Sequence, residues 1–514
     1  MQQSNPEPSP AQALHVCISC KARKRKCDKA LPKCSPCSKK NLTCRYLKSN
    51  GSPLLFTGSR PRQGSSNGEA EASVSQVQSL DLATISFLDP SILNHSQLDL
   101  PRREPPISEH ILLLLGDTTA QHVTATKFFT FIHTWLPFIS KPRFYARHLP
   151  LSSHSHASVS QTYLDTILLH LSVKLVTTLP PTNPRDPRTE LYRAVKHFYL
   201  DVEQSGNCSI AVLQAGVLIT LYELGQGIYP AAYLSIGACA RYAHILGIGV
   251  FQHGGTQTRR VLTLVEMEER RRAWWAVVFL DRFITIGSPG RPFATADPGL
   301  DSLLPSDDEA WDRGIVNREE SSTLSTPMSG HMSKFALLCQ AARLLGQVLQ
   351  YLSGPVNNEV EMQLNRTLQA MVTASLDVEN PDYDQITFIY STLLALHTPS
   401  LAALHEIASH NETGSLSRTN RAQHRVYQII STIRTNLLEN DCLFSRSPEE
   451  MPPWGLFYAY RIIVLQLSTR DEDSNTLNVT VALKEALEKL DARWNAAGAY
   501  LQLLEAHTVM RSPR

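Results

Sequence analysis

Six of the ten cysteines in this 514-residue chain fall within 28 positions: Cys17, Cys20, Cys27, Cys34, Cys37 and Cys44. Their gaps read C-x2-C-x6-C-x6-C-x2-C-x6-C, one unit written twice. A C-x2-C pair at the start of a helical turn aims two thiolates at one metal, and reduced thiols at this spacing suit zinc. One tetrahedral ion needs four ligands and would leave two cysteines spare. Two ions need eight ligand positions, which six thiolates supply only if two of them bridge. The twofold repeat asks for a symmetry-equivalent bridging pair: Cys17 with Cys34, Cys20 with Cys37, or Cys27 with Cys44.

The residues around these cysteines are basic. Residues 15–48 hold Lys21, Arg23, Lys24, Arg25, Lys26, Lys29, Lys33, Lys39, Lys40, Arg45 and Lys48, eleven positive charges against one acid, Asp28. The rest of the chain is left with 38 basic and 46 acidic residues, so the formal net charge of +2 conceals a basic module and an acidic body. Such a compact positive surface is the electrostatic footprint of a phosphate-backbone binder. Ser35 followed by Pro36 is a helix-start signal. Beyond Ile18, Leu31 and Leu42 there is little apolar bulk between Cys17 and Cys44, so metal must supply most of the folding free energy.

Spacing and filling together resemble the DNA-binding domain of the fungal Zn(II)2Cys6 binuclear-cluster transcription factors. The residues that carry the resemblance are Cys17 and Cys20, the run Lys21 to Lys26, Cys27, the loop with Pro32, then Cys34, Cys37 and Cys44. The resemblance implies two zinc ions per chain, bridged by Cys17 and Cys34. It further implies a short helix whose end enters the major groove of double-stranded DNA, where Arg or Lys donates to O6 and N7 of guanine. Carried over by position, Arg23 and Lys24 are the base-edge readers of a CGG-type triplet. Lys21, Arg25, Lys26, Lys39 and Lys40 then contact phosphate or steer association.

The elements that position this module follow in order. Residues 1–14 read as a disordered tail, 15–47 as the DNA-binding domain, and 48–106 as a flexible linker, since thirteen of the 23 residues from Lys48 to Ala70 are Ser, Gly, Pro or Asn. Residues 107–514 read as one large all-α regulatory domain. Leu337, Ala341, Leu344, Leu345, Val348 and Leu352 repeat at helical spacing, as do Ile429, Ile430, Ile433 and Leu437. Several stretches resemble the middle homology domain of the same regulators: Phe128 to Pro137 with His133, Arg241 to Gly247, and above all Glu269 to Trp275 with Asp281, Arg282 and Gly290 to Pro292. Val74 to Leu88 offers barely two heptads with Asp81 and Thr84 in the seam, too little for a coiled-coil dimer. Leu483, Leu487, Leu490, Trp494, Ala497, Leu501 and Leu504 alternate spacings of four and three along what reads as one final helix. Core packing is the default for it, a homodimer seam the alternative.

Function classes narrow quickly. No run of eighteen apolar residues suggests a membrane span, and the polar start, Met1 to Gln12, lacks the apolar stretch of a secretory signal. No nucleophile elbow, Walker loop, H-E-x-x-H or dinucleotide-binding glycine pattern occurs, so an enzyme is not expected. Arg270 and Arg272 follow Glu266 and Glu268 by four residues, which favours ion pairs within a helix over a second nucleic-acid site. Trp274 and Trp275 read as packing anchors. Asp307, Asp308, Glu309 and Asp312 read as a solvated loop, His154 and His156 as exposed, and Cys208, Cys239, Cys339 and Cys442 as buried small hydrophobes. The expectation is a nuclear, sequence-specific transcription regulator, of the kind that controls a secondary-metabolite gene cluster, with DNA, coactivators and a second copy as partners. A scaffold or RNA-binding protein with a structural zinc is the alternative, although an RNA reader would want more aromatics than Tyr46.

Overall fold

The computed structural model describes residues 16–23, 25–30, 33–40, 44, 107–148, 164–181, 183, 185–206, 208–249, 262–317, 322–326, 332–377, 381–407, 428, 431, 446–469 and 474–511. The chain divides into two compact units, Met1–Gln78 and Ser79–Arg514. The first carries two short helices, α1 (Ile18–Ala22) and α2 (Ser35–Lys39). The second carries α3 (Glu109–Leu115), α4 (Thr118–Lys127), α5 (Lys141–His148), α6 (Leu164–Thr177), α7 (Glu190–Gln204), α8 (Ile210–Gly225), α9 (Ala231–Ile245), α10 (Leu264–Phe283) and α11 (Asp308–Asp312). It continues with α12 (Lys334–Ser353), α13 (Asn358–Leu376), α14 (Tyr383–Ile407), α15 (Trp454–Thr469), α16 (Ser474–Asp491) and α17 (Asn495–Arg511). The sequence-derived coiled-coil candidate 74–88, Lys24, His154, His156, Ile429, Ile430, Ile433, Leu437 and Cys442 lie outside the described residues.

Helix α8 is the centre of the second unit. Every residue from Ala211 to Gly225 is buried, and a helix apolar on all sides must be surrounded. It packs between α6 and α9. The outer helices are one-sided instead: α7 buries Tyr192, Val195, Phe198, Tyr199 and Val202 at steps of three and four. Local chemistry sets the ends. Ser108, Asp117, Thr189, Ser209 and Ser333 each accept a first-turn N–H, and Thr263 with Glu266 forms a reciprocal capping box on α10. Gly247 ends α9 in left-handed conformation (φ +71°), with its N–H donated to the His244 carbonyl and that of Ile248 to the Ala243 carbonyl.

The C-terminal region corrects one expectation. The apolar series from Leu483 to Leu504 does not lie on one helix: α16 stops at Asp491, and α17 begins at Asn495. Leu483, Leu487, Leu490, Trp494, Ala497 and Leu504 are all buried in the core of their own unit, so they offer no seam to a second copy. Trp494 sits at the corner, donates Nε1–H to the Met451 carbonyl, and lies against Gly225. Gln226 completes the join, donating to the Arg493 carbonyl and accepting from Asn495 N–H.

The charged block on α10 is internal. Arg272 is fully buried; it pairs with Glu268 at 2.9 Å and Asp308 at 2.9 Å, and donates to the carbonyls of Pro137 and Ser306. Its guanidinium also stacks over Trp311. The expected pairing within the helix holds for Glu268 and Arg272. Glu266 ion-pairs with Arg143 from α5, and Arg270 donates to the Leu246 carbonyl. Trp275 is buried and bonds the Leu303 carbonyl, as a packing anchor should; Trp274 covers Gly249. The acids of 307–312 are not a merely solvated loop. Asp307 caps α11, Asp308 receives Arg272 and the Phe335 N–H, and Asp312 bonds His133. Cys239 and Cys339 are buried, but Cys208 is exposed, because it lies in the turn between α7 and α8 rather than on a packed face.

Candidate metal centre and nucleic-acid interface

The two halves of the first unit fold alike because they are spelled alike. Cys17 is the N-cap of α1 and Cys34 the N-cap of α2, both in extended backbone conformation. The Cys20 N–H points at Cys17 Sγ at 3.4 Å. Cys34 takes the same place at the start of α2, without a side-chain bond to that helix's first turn. At the other end of each unit, Cys27 Sγ accepts from Cys17 N–H, and Cys44 Sγ accepts from Cys34 N–H at 3.3 Å. N–H groups at a helix start favour negative charge, so the sulfurs of Cys17, Cys27 and Cys44 each face a donor that favours thiolate.

The six sulfurs form two overlapping quartets. Cys17, Cys20, Cys27 and Cys34 have sulfurs within 4.8 Å of one another, and so do Cys17, Cys34, Cys37 and Cys44. The members common to both are Cys17 and Cys34, whose sulfurs are 3.7 Å apart. A tetrahedral zinc with bonds of about 2.3 Å holds neighbouring sulfurs about 3.8 Å apart, so this edge has the length that two ions would share. Of the three symmetry-equivalent pairs that spacing alone allows, the geometry singles out this one. Cys20 and Cys37, one from each quartet, also approach to 3.8 Å, so the sulfurs pack as a single knot.

Burial pushes the thiols of Cys17, Cys20 and Cys34 up. At Cys27 burial is outweighed by the N–H groups of Cys17 and Lys29, and the thiol is lowered to about 7. Such a knot cannot ionise fully on its own, and divalent ions are what would hold all six as thiolates.

The basic residues surround the knot. Lys21 lies on α1, Arg23 is its C-cap, Arg25 and Lys26 follow it, Lys39 ends α2 and Lys40 is its C-cap. All six are exposed, and among the described residues none is ion-paired. One residue that sequence reasoning only counted has a definite place. Asp28 accepts the Ser35 N–H with both carboxylate oxygens, at 3.1 and 3.0 Å. The Ser35 hydroxyl joins it, and these bonds hold the Asp28 carboxyl below its ordinary range. Only its position, just after one cysteine and shortly before a Ser-Pro helix start, hinted at this.

Comparison with known proteins agrees with both units. Residues 15–52 match the fungal Zn(2)-Cys(6) binuclear cluster domain, which binds two zinc ions, and residues 125–437 match the fungal specific transcription factor domain. The chain belongs to the family of fungal zinc-cluster transcription factors. It is 33% identical over 182 residues to transcription factor BOA15 of Botryotinia fuckeliana, a match covering 34% of this chain and 93% of that protein. It is 26% identical to transcription factor tazR of Aspergillus terreus, over 43% of this chain and 34% of the relative. The notoamide biosynthesis cluster transcriptional coactivator notQ' of Aspergillus versicolor is 24% identical, over 59% of this chain and 58% of its own length. The chain thus matches about a third to just over half of these last two relatives. No helix of the described residues is long and apolar enough to cross a membrane.

Proposed function

We propose that this protein acts in the nucleus as a non-enzymatic, sequence-specific regulator that reads CGG-type sites in double-stranded DNA and controls one biosynthetic pathway. The observation that carries the reading is an unpaired basic rim around a sulfur knot: Lys21, Arg23, Arg25, Lys26, Lys39 and Lys40 are all exposed, with their charge free for phosphate and base edges. In this reading Cys17, Cys20, Cys27 and Cys34 hold one zinc, and Cys17, Cys34, Cys37 and Cys44 hold the other. Arg23 and Lys24 take the base edges; the remaining lysines and arginines take phosphate. Relatives named for notoamide and pigment biosynthesis support a role in a secondary-metabolite pathway. Coactivators and a second copy are the expected protein partners, the latter through a surface other than residues 483–504. Selection of bound duplexes from a random pool by the full-length protein tests the proposal. Enrichment of CGG triplets is expected, and no enrichment would overturn it.

A further inference from the structure

A carboxylate is out of place on a surface meant for polyanions. Asp28 is nevertheless the lone acid among residues 15–48, and it costs the module one unit of attraction for phosphate. Its bonds suggest what it does instead. The N–H groups at the start of α2 are few: that of Ser35 goes to the Asp28 carboxylate, and Pro36 has none. Asp28 therefore covers the first N–H of α2 from the loop directly after Cys27, the last cysteine of the first half. Lys29, directly after it, turns the chain in left-handed conformation (φ +59°). The second half has no equivalent clamp, for Arg45 stands where Asp28 stands in the first.

The clamp links two groups of charges. Asp28 follows the loop that carries Arg25 and Lys26, while α2 ends in Lys39 and Lys40. We infer that Asp28 is a positioning residue for DNA binding, which fixes the start of α2 against the loop after Cys27 so that both basic groups meet one duplex without further ordering. The inference rests on the DNA-binding reading above. A partner already held in its bound arrangement loses less entropy on association.

Two effects of removing the carboxylate have opposite signs, which makes the inference testable. Charge alone predicts that Asp28→Ala binds any duplex more tightly, because the module gains a net positive unit. Positioning predicts weaker binding to the preferred duplex. The experiment compares full-length wild type, Asp28→Ala and Asp28→Asn on a duplex that the wild type has itself selected and on a scrambled duplex. Zinc content and the absorption of the cobalt-substituted protein report on the metal site. The expected result is two metals in every variant and roughly three- to tenfold weaker binding of the selected duplex by Asp28→Ala. Scrambled binding should be unchanged or tighter. Asp28→Asn has lost the same charge but keeps an oxygen for the Ser35 N–H, so it should recover most of the affinity. Equal or tighter binding of the selected duplex by a two-metal Asp28→Ala would overturn the inference, as would loss of metal from that variant. A wild type that selects no duplex would fail the DNA-binding reading instead.

Discussion

Trp494 lies so close to the bare backbone of Gly225 that a Cβ at residue 225 would fall 2.1 Å from its ring. The indole fills the space a side chain would take, and so a corner between two C-terminal helices is keyed to the end of the central helix α8. Gly225→Ala should force ring or backbone to move and cost about 1–3 kcal/mol. Trp494→Ala removes the ring and should cost about 3–5 kcal/mol. In the double variant the added methyl no longer meets the ring, so the two losses should be less than additive. Thermal or denaturant unfolding of the four proteins measures this.

The shared edge of the sulfur knot separates bridging from terminal ligands. Cys17→Ser or Cys34→Ser should leave no intact four-sulfur site, whereas Cys44→Ser should spare the quartet of Cys17, Cys20, Cys27 and Cys34. Metal analysis of the purified proteins should give two zinc ions for the wild type, fewer than one for either bridging variant and an intermediate value for Cys44→Ser.

Lys24 tests base reading against simple phosphate attraction. Lys24→Ala should reduce discrimination between CGG and scrambled duplexes, with a loss of about 1–3 kcal/mol on the CGG site alone. Lys39→Ala and Lys40→Ala should weaken both duplexes equally and lower the salt dependence. Binding isotherms at several salt concentrations separate the two patterns.

Arg272 is fully enclosed by Glu268, Asp308 and two carbonyl oxygens. Arg272→Ala strands these acceptors and should destabilise the helical unit by about 3–5 kcal/mol. Arg272→Lys should recover only part of that, since a point charge cannot span the fork of partners. Helical circular dichroism against temperature is the readout, with metal content unchanged.

His133 and Asp312 supply a pH dependence. Burial alone would raise the Asp312 carboxyl, but the 2.8 Å bond to His133 and the nearby charges of Lys141 and Arg272 together outweigh it and lower the carboxyl below its ordinary range. A carboxyl lowered in the folded state adds stability above its unfolded pKa, and that contribution fades as the pH falls through the folded value. The stability difference between wild type and Asp312→Asn should thus be present at neutral pH and vanish in acid below the usual carboxylate range. Asp312 is partly exposed, so the difference should be about 1 kcal/mol or less. Unfolding curves across pH for both proteins check it.

The readable parts of this molecule were those fixed by neighbours in sequence. Cysteine spacing and the start of α2 at Ser35 and Pro36 are local, and each stands as read. What failed depended on distant partners. The heptad of residues 483–504 continues in register across a corner that has no glycine or proline to announce it, and the groove it fills comes from Gly225. The acids near residue 310 look free in sequence because their partners, His133, Arg272 and the Phe335 N–H, come from three other segments. The bridging pair was open to spacing alone because a repeat treats three pairs alike; only the folded positions of the sulfurs separate them.

Four of the six sulfurs are buried, while Cys27 and Cys44, the last members of the two repeated units, are half-exposed. Each of these belongs to a single quartet. A chelator or an oxidant arriving from water therefore reaches first a sulfur that only one ion would use, and the common edge stays covered until later. The centre has two separate doors and one protected hinge between them, so its dismantling should proceed one metal at a time, through an intermediate that still keeps its other half.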